Sequence, residues 1–141
     1  MKKLFYTAMA YLVFGLSSGV FYREFTVINN FTGHTQLKIT HVHILVLGFL
    51  MFFILTLFEK VFNISKSKWF NKFFAVYNIG TLLTSIMFLV IGIRQVKGLQ
   101  PGPAMDGLAG LGHIIITIGF IFLFLVLKEQ ILGNEKNLNQ H

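Results

Sequence analysis

The sequence predicts an all-α fold: a transmembrane, antiparallel four-helix bundle with both termini cytoplasmic. Three observations carry that expectation. Of the 141 residues, 55% are hydrophobic and only 12% are charged, with a mean hydropathy of +0.71. A soluble domain averages about 25% charged residues, so this chain cannot hide its apolar surface in its own core, and lipid must cover it. The apolar residues gather into four stretches, each near the roughly 20 residues that carry a helix across the hydrocarbon core. Short polar connections separate them, which makes successive helices neighbours of opposite direction.

The first span is Leu4–Tyr22, preceded by Lys2 and Lys3. That start resembles a signal peptide, but the apolar stretch is long and no Ala-x-Ala site closes it, so it reads as a retained helix. Within it, Gly15 and Gly19 form a Gly-x-x-x-Gly pair. Small residues at that spacing let membrane helices approach closely, and they would also give a smooth wall beside a cofactor. The second span is Ile39–Phe58, the third Phe73–Ile93 and the fourth Gly107–Leu127. Residues 1–127 thus form a single four-span domain, and 128–141 a polar cytoplasmic tail. Gly98, Pro101, Gly102 and Pro103 punctuate the third connection as a turn.

Lysine and arginine set the orientation. With the N-terminus inside, the cytoplasmic side holds Lys2, Lys3, Lys60, Lys66, Lys68, Lys72, Lys128 and Lys136. The other side holds only Arg23, Lys38, Arg94 and Lys97. This bias places both termini in the cytoplasm. It also accounts for the net charge of +7 without nucleic acid, since no basic patch with interleaved aromatics stands apart from the spans. The sequons at Asn30 and Asn63 would face opposite sides and read as chance. The absence of cysteine excludes disulfides, cysteine-ligated iron–sulfur clusters and c-type haem attachment.

The candidate site is a trio of histidines. His41 and His43 open the second span, and His113 lies inside the fourth. An ionisable side chain within a span is costly and marks a functional site by default. Imidazole is the commonest metal ligand and a frequent axial ligand of haem iron. His113 sits about six residues, or roughly 9 Å, into its span, so all three share the outer half of the bundle. His41 and His43 are about 200° apart around the helix and cannot both face one partner. His41 shares a face with Leu45, Gly48 and Phe52. His113 shares one with Asp106, Ala109, Gly110, Thr117 and Phe120, and small residues there would leave room for a macrocycle. The favoured pair is His41 with His113, with His43 as the close alternative. Arg23 and Arg94 fall at the outer edge, where they would bind haem propionates or simply snorkel. Tyr77 and Asn78 suit hydrogen bonds across helices.

Two stretches carry a resemblance. Thr40-His-Val-His-Ile-Leu-Val-Leu-Gly48, with Phe14-Gly-Leu-Ser-Ser-Gly-Val-Phe-Tyr-Arg-Glu24 before it, resembles a family of small bacterial four-span membrane proteins of unknown function, over most of the chain. A looser likeness is to the haem-ligating second helix of the haem–copper oxidase superfamily and of the membrane haem proteins of nitric-oxide response. In those oxidases histidines from two helices hold a low-spin haem near the outer surface. His41 or His43 would match the first ligand and His113 the second. With four spans rather than twelve, and no counterparts of the copper-binding histidines, the resemblance implies at most a bis-histidine haem site.

The expected function is therefore a b-type haem protein of the bacterial cytoplasmic membrane, serving electron transfer or redox or gas sensing. It would be embedded in the bilayer, with a respiratory or other membrane complex as partner, or as a homo-oligomer. Two alternatives stand beside it. One is a copper or zinc site of His41 or His43 with His113, joined by Asp106 or His34. The other is an accessory subunit without a cofactor, whose histidines only bond across helices. A transporter would need to oligomerise at this length. No Ser–His–acid set is spaced for hydrolysis, which argues against an enzyme.

Overall fold

The computed structural model describes residues 1–133. Four helices account for most of them: α1 (Lys2–Ile28), α2 (Leu37–Phe62), α3 (Phe70–Val96) and α4 (Pro103–Leu132). No strand occurs among the described residues. Each helix is long and apolar enough to cross a membrane. A helix of 27 residues, such as α1 or α3, spans about 40 Å at 1.5 Å per residue. That exceeds the hydrocarbon core of about 30 Å, so each of these helices is more than long enough to span it. The last turns of α4, Lys128–Leu132, are helical and close in wider π-type turns. Lys136 and the remainder of the expected polar tail, 134–141, lie outside the described residues.

Local chemistry sets the ends. Asn63 closes α2 in the left-handed region, at φ 52° and ψ 46°, with its N–H donating to the Glu59 carbonyl. Asparagine tolerates that conformation better than most residues. Gly98, at φ +72°, turns the chain after α3, and Pro103 occupies the first turn of α4, where its missing N–H has no partner to lose.

The helices pack in two tight pairs. Helix α1 lies along α2: a Cβ added to Gly15 would come within 2.6 Å of the Leu45 side chain. Gly48 seats the ring of Tyr11, which also stacks on Phe52 with centroids 5.7 Å apart. Helix α4 lies along α3 with the backbones themselves close. A Cβ on Gly80 would sit 2.7 Å from the Ile116 amide nitrogen, and one on Gly119 would sit 2.9 Å from the Tyr77 Cα. Helices α2 and α3 join the pairs. Tyr77 donates to the Leu47 carbonyl at 3.0 Å, and Phe52 packs on Phe73, Phe74 and Tyr77.

Loop contacts fix which ends meet. The amine of Met1 lies 3.5 Å from Glu59, and Ser67 donates to Glu129 at 2.7 Å. At the opposite end Thr35 donates to the Gly92 carbonyl at 2.9 Å, and the Gln36 N–H to the Gln95 side chain at 2.8 Å. The first of these ends is lysine-rich, with Lys2, Lys3, Lys60, Lys66, Lys68 and Lys72.

Tyr11 also donates to Asn78 Oδ1 at 2.9 Å, which ties α1 to α3. Tyr11→Phe should lower unfolding free energy in detergent by about 0.6 kcal/mol, the average for interhelical hydrogen bonds in membranes. Denaturant titration of purified protein measures it.

Helix α2 departs from regular α geometry just after His43. Ile44–Leu50 form π-helical turns, the wider i→i+5 form that is rare and concentrates at functional sites.

Candidate functional site

The three histidines divide between two helix interfaces. His41 turns towards α1. Its ring stacks on Tyr22 at 6.4 Å and 12°, and a Cβ on Gly19 would touch it at 3.6 Å. The reason is the face it shares with Leu45, Gly48 and Phe52, all of which pack against Gly15 or Tyr11 of α1. Gly48 thus admits an aromatic ring of the protein itself. The Gly15–Gly19 pair likewise receives α2 side chains. The His41 Nδ1 is buried and has no hydrogen-bond partner among the described residues.

His43 points the other way, as its rotation of about 200° from His41 requires. Its ring meets Phe88 of α3 edge to face at 4.9 Å and 88°. His113 of α4 meets the same Phe88 at 5.9 Å and 52°. His43 and His113 therefore share a wall, which His41 does not. The sequence favoured His41 as the partner of His113. The fold gives the shared neighbour to His43 instead, because close packing of α1 on α2 claims the His41 face.

Both His43 and His113 are held in one tautomer. The His43 Nδ1 lies 3.2 Å from the Ile39 carbonyl, and the His113 Nδ1 lies 2.9 Å from the Ala109 carbonyl. A carbonyl only accepts, so in each bond Nδ1 carries the proton. In a neutral ring so held, Nε2 carries the lone pair, the form in which imidazole binds a metal. Both bonds run four residues back along the same helix. They hold the rings without help from another element. His43 is half-buried and His113 exposed, and a Cβ at Gly110 beside it would meet nothing within 4 Å.

The remaining candidates stand apart. Arg23 is 82% exposed in its side chain and lies 3.9 Å from Glu24, as a boundary arginine does. Arg94 is half-buried and donates from Nη2 to the Gln100 carbonyl at 3.1 Å, while its buried Nε has no partner among the described residues. Asp106 is exposed in the first turn of α4. His34 is exposed and lines a small cavity with Thr35, Gln36 and Gln95. Among the described residues, no three or more His, Cys, Asp or Glu gather as a metal site needs.

Phe88 was not singled out by the sequence. It lies in a run of apolar residues, with nothing in its type to separate it from filler. Depth supplies the missing signal: it stands about 12 Å from the end of α3, in the same half as His43 and His113. Tyr77 and Asn78 hold the cross-helix bonds the sequence assigned to them.

No curated protein and no solved structure matches the chain. A family described only as "Protein of unknown function (DUF2871)" matches residues 1–130, and the chain belongs to that family.

Proposed function

We propose that this membrane protein would hold a b-type haem through His43 of α2 and His113 of α4, and that it serves electron transfer or redox or gas sensing. One observation carries the reading. Two imidazoles from different helices touch one buried aromatic ring, and each is fixed with Nε2 free. The donor set fits haem iron, which takes two neutral imidazoles as axial ligands. The open space beside Gly110 and the exposure of His113 leave an edge accessible from the lipid. Bound haem would supply one-electron chemistry at iron. The chain's own residues orient the ligands through the Ile39 and Ala109 carbonyls, wall the site with Phe88, and offer Arg94 as a cation on the same helix. Two histidine ligands would leave no open position for a substrate, which favours carrying or sensing electrons over catalysis. The looser likeness of Thr40–Gly48 to haem-ligating helices points the same way.

Absorption spectra of the purified protein, oxidised and then reduced, test this. Sharp reduced bands of a bis-histidine haem are expected. Colourless protein made with ample haem would refute it.

The second reading is an accessory subunit without a cofactor. It is favoured by the same backbone bonds, since an own-helix carbonyl also satisfies a lone imidazole. Full retention of partner binding after replacement of all three histidines by glutamine would support it.

The chain is also proposed to lie antiparallel in the bacterial cytoplasmic membrane with both termini inside. The pairing of Gly19 with His41, Gly15 with Leu45 and Tyr11 with Gly48 supports opposed directions for α1 and α2. The lysine bias supports the sidedness. The natural lack of cysteine makes labelling direct. In intact cells an impermeant maleimide should label Leu99→Cys, and Lys66→Cys only after permeabilisation. The reverse pattern would invert the topology.

A further inference from the structure

Helices α1 and α3 are not packed on each other along their length. Between them runs a lipid-facing groove of about 570 Å³, lined by Lys3, Thr7, Ala10, Phe14 and Leu82, with Tyr11 and Asn78 at its floor. We propose that this groove binds one acyl chain of an anionic phospholipid, with the lipid phosphate at Lys3.

Length, polarity and charge lead to that occupant. Lys3 to Phe14 is about 16 Å along the helix, close to half the hydrocarbon core of about 30 Å. The groove therefore runs one leaflet deep, from an interface towards the midplane. Its walls are apolar. Its floor bonds are made within the protein: Tyr11 donates to Asn78 Oδ1 at 2.9 Å, and Asn78 Nδ2 donates to the Phe74 carbonyl at 2.7 Å. Such a floor asks little of its occupant beyond hydrocarbon, which suits an acyl chain better than a headgroup rich in acceptors.

The mouth is cationic. Lys3 Nζ rests 3.8 Å above the Phe74 ring, at the lysine-rich end. Among the described residues no carboxylate lies within ion-pair distance of it, because Glu59 is held by the Met1 amine and by Ser65. A cation fixed over an aromatic face and free of a protein anion is placed to take a phosphate oxygen. Basic residues at a membrane surface attract anionic lipid, and Tyr6, 67% exposed beside Lys3, suits the headgroup level.

The test uses the full chain in mild detergent, stripped of lipid and offered phosphatidylglycerol or phosphatidylethanolamine with matched chains, with binding read by native mass spectrometry. One bound phosphatidylglycerol is expected, preferred several-fold over phosphatidylethanolamine. Lys3→Gln should remove the preference. Ala10→Phe, at an exposed position, should fill the groove and remove both lipids while thermal unfolding stays unchanged. Equal binding of the two lipids by the natural chain, or undiminished phosphatidylglycerol on Ala10→Phe, would overturn the proposal. Neither variant touches the histidines, so the result is independent of haem.

Discussion

His113→Ala and His43→Ala should each lose the reduced bis-histidine haem spectrum, whereas His41→Ala should keep it. The contrast follows from placement. His43 and His113 share Phe88 and present free Nε2 atoms, while His41 stacks on Tyr22 across a different interface. Either substitution removes one of the two imidazoles that would hold haem iron, so the sharp reduced bands would be lost or broadened. His41→Ala instead removes a packed ring beside Gly19, with a modest cost in stability. Should His41→Ala abolish the spectrum and His43→Ala leave it intact, the ligand assignment fails, and the shared wall at Phe88 has no role in ligation. Reduced-minus-oxidised difference spectra of the three variants, at equal protein and added haem, decide between these outcomes.

Gly80→Leu should be among the most disruptive single changes in the protein. A Cβ at Gly80 would meet the Ile116 amide nitrogen at 2.7 Å and the Ile115 carbonyl carbon at 3.1 Å. Backbone atoms cannot rotate away as a side-chain tip can, so α3 and α4 must separate. Overpacking a tight interface costs about 1–3 kcal/mol, occasionally more, and here the larger end is expected because the whole α3–α4 pair shares the contact. Gly110→Leu is the matched control. It adds the same side chain on the paired helix, but into open space, and leucine favours the helix by nearly 1 kcal/mol over glycine. Thermal stability in detergent should fall sharply for the first and hold or rise for the second. Equal behaviour of the two would show that close backbone approach does not govern this packing.

Glycine shows where sequence reasoning stops. Gly15 and Gly19 were legible as a packing pair from their spacing. Gly80, Gly112 and Gly119 form the tighter interface, yet they sit on two different helices and only their meeting identifies them. Sequence reading picked out Gly110 on the face of His113 and passed over Gly112, yet in the fold a Cβ at Gly110 meets nothing within 4 Å while one at Gly112 meets Thr84. The π-helical turns of Ile44–Leu50 were also invisible. An apolar run of ordinary helix formers carries no mark of a widened hydrogen-bond ladder.

Composition and hydropathy alone determined that four helices are long enough to cross a bilayer and that imidazoles stand in two of them, because burying so much apolar surface in water is impossible for a chain of this size. Which imidazole faces which neighbour was decided only by the tertiary structure. In lipid, the inward and outward sides of a helix are both apolar, so no stripe of polarity points to the core. Close fit takes over that role: glycines admit the neighbouring helix, and the way α1 settles on α2 turns His41 one way and leaves His43 to meet Phe88.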